Sequence, residues 1–141
     1  MCREVESAAL HTKIFFCVST LEYLAKGGRI GLVAAMLGTL LDLKPVVSCN
    51  EAGIYYTVAK ARGRKKSLSL ALAKAVEFAA GATEYNITVM HGAAKDEADE
   101  LLTALKAQLP DYRISIEGQI TPALVVHTGP GLIGVGVQRL A

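Results

Sequence analysis

The stretch best suited to hold a ligand is His127-Thr128-Gly129-Pro130-Gly131. Two glycines around a proline make a stiff loop whose backbone lets another molecule come close. The imidazole and hydroxyl at its mouth supply donors for an anion such as a carboxylate. Glycine and proline also dominate ordinary turns, so a tight turn with a partly exposed histidine stands beside that reading. The same span contains the pattern GxGxxG, as Gly129, Gly131 and Gly134. A dinucleotide site is rejected, because the pattern must open a helix in a βαβ unit, and here it runs into the strand-like Ile133-Gly134-Val135.

A second candidate is Gly27-Gly28-Arg29-Ile30-Gly31, where pliant backbone brackets one guanidinium that could face a carboxylate or an acidic partner. Its plainer reading is a helix-ending turn carrying a solvated arginine. The third is the basic run Lys60, Arg62, Arg64, Lys65 and Lys66, directly before a helix expected from about Ser67. Cations there oppose the helix dipole, so the run reads either as a solvated charge cluster or as a docking face for an acidic or phosphorylated partner.

No bond-breaking chemistry can be assembled. The chain has no P-loop, no HExxH and no nucleophile elbow. Cys17 falls in an apolar strand, and Asp96, Glu97, Asp99 and Glu100 are spaced as the solvent face of a helix. No metal-ligand spacing and no cofactor motif appear, and the expectation is a protein that is not an enzyme.

The elements needed to position these groups follow from periodicity. Strands are expected at 13–19, 44–49, 54–60, 86–90, 112–117, 122–127 and 132–137. Helices are expected at about 21–26, at 33–41 in an apolar run stopped by Pro45, at 67–80, and at 95–109. Asn50 to Gly53 reads as the turn of a hairpin. Strands alternating with helices predict an α/β fold with a mixed sheet and helices packed on it, as one domain over 1–141.

Composition narrows the class. Over 141 residues, 52% are hydrophobic and 20% charged, which excludes a disordered chain. A net charge of +2, few aromatics and no Trp argue against nucleic acid. The longest apolar stretch, 30–41, is too short for a membrane span, and the first ten residues lack the apolar run of a signal peptide. Three unclustered cysteines suit a reducing compartment, so a soluble cytoplasmic protein is expected.

Four ordered blocks carry a resemblance: LEYLAKGGRIG at 21–31, LGTLLDLKPVV at 37–47, KAR at 60–62 and HTGPGLIGVG at 127–136. Together they resemble the second half of the DegV family, in order and at similar spacing. The resemblance implies a bacterial fatty-acid-binding carrier that presents a long-chain fatty acid to a fatty acid kinase for phospholipid synthesis. It implies a carboxylate site at His127, with Thr128, Gly129 and Gly131 in the same loop. Arg29 and Arg62 would lie near the headgroup and the surface met by the kinase, Ile30 would also touch the ligand, and Leu37, Leu40 and Leu41 would line the acyl tunnel. Arg64 and Lys65 of the basic run are expected to join Arg62 in binding the partner.

Physical chemistry agrees with such a ligand. Each of about 14–16 methylenes gains roughly 0.8 kcal/mol on leaving water, before ordering costs are subtracted. The family's first half has no counterpart here, so a partial chain is expected, and a lone second domain would expose tunnel wall and favour self-association. Two rival readings stay open: a small-molecule kinase subunit of related fold, or a protein-interaction module acting through Arg62 to Lys66.

Overall fold

The computed structural model describes residues 2–38 and 42–140. Its elements are α1 (Cys2–Leu10), β1 (Thr12–Cys17), α2 (Glu22–Lys26), a 3-10 turn (Gly31–Met36), β2 (Leu43–Cys49), β3 (Tyr55–Arg62), α3 (Arg64–Ala79), β4 (Tyr85–His91), α4 (Lys95–Gln108), β5 (Ser115–Gln119), α5 (Pro122–Thr128) and β6 (Ile133–Arg139). The six strands form one sheet in the order β3-β2-β1-β6-β4-β5. All pairs are antiparallel except β4 with β5, which α4 connects as a crossover. The mixed α/β sheet is the one expected from sequence.

Each strand has two faces, and the sequence alternates to match. Phe15, Cys17, Ile87, Val89, Ile133, Val135 and Val137 point to one side, where α3 and α4 cover them with Ala71, Leu72, Ala75, Leu101, Leu102 and Leu105. A fully buried aliphatic side chain there contributes about 1.5–3 kcal/mol. Phe16, Val18 and Val47 point to the opposite side, where Leu24 of α2 and Val33 and Met36 of the 3-10 turn make a smaller core. α3 and α4 therefore build the stable body, and the second face is left half-covered.

Three expected elements differ. Residues 122–127 form a helix, not a strand: Thr121 is extended, Pro122 opens the first turn and Gly129 closes it. The apolar run after Gly31 is a 3-10 turn ending at Met36, with Val33 and Met36 buried three residues apart. Leu40 and Leu41 of the expected tunnel helix lie outside the described residues. β5 also begins at Ser115, later than expected. No described helix is long and apolar enough to cross a membrane.

Candidate functional site

The site begins with β6. Its sequence Ile133-Gly134-Val135-Gly136-Val137 sends three branched side chains into the helix-covered core. The two glycines therefore face the other side, where β6 runs between β1 and β4. One row across the sheet reads Phe16, Gly134, Met90, Gly118; the next reads Ile14, Gly136, Thr88, Ile116. Bare backbone on the central strand between large side chains makes a trough.

α5 lies along that trough and turns it into a cavity of about 340 Å³. Ile14, Phe16, Met90 and Gly134 supply the floor, Ile120, Leu124 and Thr128 one wall, and Cys49 and Tyr55 another. The lining is nearly all apolar. The Thr128 hydroxyl donates to the Leu124 carbonyl at 3.0 Å, so its proton is spent within α5. Tyr55 stacks edge-on against Phe16, with ring centroids 5.1 Å apart. Burial raises the Tyr55 phenol above its usual range, Cys49 adds to that, and Arg29 opposes it. The phenol is therefore a neutral O–H at physiological pH, a suitable wall for a ligand with an apolar body.

His127 is the last residue but one of α5; Thr128 after it lines this cavity, whereas His127 itself is not among the lining residues. Its ring is half-buried and its Nδ1 is buried with no hydrogen-bond partner. The ring packs against Gly27, and the Arg29 Nη1 donates to the Gly27 carbonyl at 2.5 Å. Gly27 thus joins the two basic residues singled out from sequence. Its φ of −81° is open to any residue, so the reason for glycine there is closeness to the imidazole. The loop after His127 is clamped on both sides. Gly129 lies against the Tyr23 ring and Gly131 against the Ser19 hydroxyl, both at positive φ, where only glycine fits easily. The Gly131 N–H also donates to the Gly92 carbonyl at 2.6 Å.

The remaining sequence candidates are dispersed. Ile30 packs beside the second core with Tyr55. Leu37 is exposed and borders a separate depression with Val18, Met36 and Leu43, not the main cavity. Arg62 and Lys65 are exposed, on β3 and the first turn of α3. Arg64 is not a free cation: its Nη2 and Nε donate to Glu97 Oε2 at 2.8 Å and Oε1 at 3.2 Å, tying α3 to α4. The described residues contain no cluster of His, Cys, Asp and Glu able to hold a metal ion. Phe16, Tyr55, Met90, Leu124 and Gly134 were missed as cavity residues by sequence reasoning. The alternation of glycine with branched residues at 133–137 was the signal that could have found them.

The profile of the family described as "Uncharacterised protein, DegV family" matches residues 1–140. The chain belongs to the DegV family. A DegV domain-containing protein of Clostridium acetobutylicum is 44% identical over 127 residues, which is 90% of this chain and 45% of that protein. The fatty acid binding DegV family protein from Streptococcus agalactiae superimposes with a TM-score of 0.86 at 31% identity, covering 99% of this chain and 49% of that one. The stearic acid-binding protein of Eubacterium ventriosum gives a TM-score of 0.83 at 29% identity, over 98% and 48%. The chain spans about half the length of the DegV relatives it matches.

Proposed function

We propose that this DegV chain holds the acyl part of a long-chain fatty acid in the trough over β6, with His127 on the carboxylate side. The observation that carries the reading is an apolar cavity of about 340 Å³ lined by Thr128, whose neighbour in sequence, His127, has a half-buried imidazole with an unpartnered Nδ1. A carrier needs those two parts: a dry channel for methylenes, and a few polar groups at one end. Further support comes from relatives of the same fold that are named for fatty acid binding.

In this reading Thr128, Gly129 and Gly131 shape the mouth, and Arg29, exposed beside Gly27, offers its remaining N–H groups to the carboxylate. Arg62 and Lys65 form a basic surface for an acidic patch on a fatty acid kinase, which would phosphorylate the presented acid in the cytoplasm. Exposed Ile14, Ile116 and Val126 give the chain an apolar rim through which copies of it self-associate.

Mass spectrometry of lipid extracted from the purified chain tests the ligand, together with calorimetric titration of palmitate. Co-purified fatty acid or saturable uptake supports the reading, and the lack of both defeats it. Incubation with ATP and Mg²⁺ tests the carrier role: acyl phosphate formed without a second protein would show an enzyme instead.

A further inference from the structure

Gly134 has no explanation within the protein's own packing. Glycine weakens a central strand, and it usually marks a bulge, a positive φ or a close approach by other atoms. The pairing of β6 with β1 and β4 is regular through Gly134, so there is no bulge. Neither Gly134 nor Gly136 is among the residues at positive φ. At Gly136 packing supplies the reason, because a Cβ there would lie 2.6 Å from the Thr88 Cγ2. At Gly134 it does not: the nearest atoms to a Cβ would be Ile14 Cγ2 and Phe16 Cβ, each at an ordinary 3.8 Å.

The space that a side chain at 134 would fill is the cavity itself, whose floor Gly134 forms. We infer that Gly134 is the position that sets the calibre of the acyl trough, kept bare so that the ligand's methylenes lie directly on the backbone of β6. The inference rests on the lipid-binding reading and adds a determinant of what the site admits: an unbranched chain thin enough to lie between Phe16 and Met90. It also gives stability and binding opposite signs. A Cβ here has room, and a branched side chain suits a strand and would extend into the void, so it is expected to strengthen the fold while closing the site.

The test compares the wild-type chain with Gly134→Val and Gly134→Ala, using palmitate as the probe. Gly134→Val is expected to raise the Tm by about 2–4 °C and to weaken palmitate binding by about tenfold or more. Gly134→Ala is expected to move both quantities less, in the same directions. Gly136→Ala, which meets Thr88, is expected to lower the Tm. If wild type and Gly134→Val bind palmitate equally, or if both Gly134 variants are less stable than wild type, the inference fails while the lipid reading stands. If the wild-type chain binds no palmitate, the lipid reading fails and the inference falls with it.

Discussion

The imidazole of His127 and the backbone of Gly27 are in direct contact, at a spacing that leaves no room for one methyl group: a Cβ on Gly27 would sit 2.5 Å from Nδ1. The contact joins the end of α5 to the end of α2, so the two glycine-rich segments form one structural unit. Gly27→Ala must push the ring away or move α5. We expect a loss of about 1–3 kcal/mol, the usual cost of overpacking, measured by urea denaturation. Palmitate binding should weaken as well. An unchanged denaturation midpoint would mean that the ring swings aside freely and that its position is not fixed by this contact.

The role of His127 separates from that of the cavity by changing the ligand's head. A hydrogen bond to a charged group contributes about 1.5–3 kcal/mol, so His127→Ala should weaken palmitate by roughly tenfold or more. Methyl palmitate, which has no carboxylate, should bind wild type and variant alike. Equal losses for both ligands in calorimetry would reduce His127 to a piece of wall.

These residues also show how far the sequence could be read. The inner stripe of α4, with Ala98, Leu101, Leu102 and Leu105, is buried as its period requires, and the Asn50 turn closes as expected, its Oδ1 accepting from the N–H groups of Ala52 and Ile54. The segment at 122–127 reads as a strand because its paired valines suit one, and seven residues are too few for a helical period to declare itself. Pro122 after Thr121, and Gly129 after Thr128, carried the true start and stop signals. Judged only against the dinucleotide pattern, Gly134 lost its other meaning as one face of a strand. Cavity residues such as Phe16, Tyr55 and Met90 come from three separate strands, and only strand order brings them together.

Arg64 illustrates how a basic run can divide into structural and surface roles. Its bidentate pair with Glu97 is only partly screened, with 23% and 44% of the two side chains exposed. We therefore expect Glu97→Gln to cost about 1 kcal/mol at low salt and less as ionic strength rises. Lys65→Gln, which breaks no ion pair between described residues, should leave the denaturation midpoint within about 0.5 kcal/mol of wild type. If Lys65→Gln proved the more destabilising change, the division would be wrong.

Cys17 and Cys49 lie at opposite extremes of the same chemistry. Cys49 is exposed at the cavity wall, whereas Cys17 is buried and accepts a hydrogen bond from the Ser67 hydroxyl at 3.0 Å. Burial pushes the Cys17 thiol up; the Ser67 bond and the Arg64 charge pull it down without cancelling that effect. A disulfide reagent at about pH 8 should label Cys49 quickly, more slowly once palmitate fills the cavity, and should reach Cys17 only in urea. The sign of the pH effect follows from which state holds the proton. The unfolded thiol ionises near its ordinary value of about 8.5 while the folded one stays protonated, so stability is level below that pH and falls above it. Tyr55 adds a similar loss, but only beyond about pH 10, the ordinary phenol value. Thermal scans between about pH 8.5 and 9.5 should therefore show a falling midpoint whose slope is reduced in Cys17→Ala. An equal slope in that variant would assign the alkaline loss to other groups.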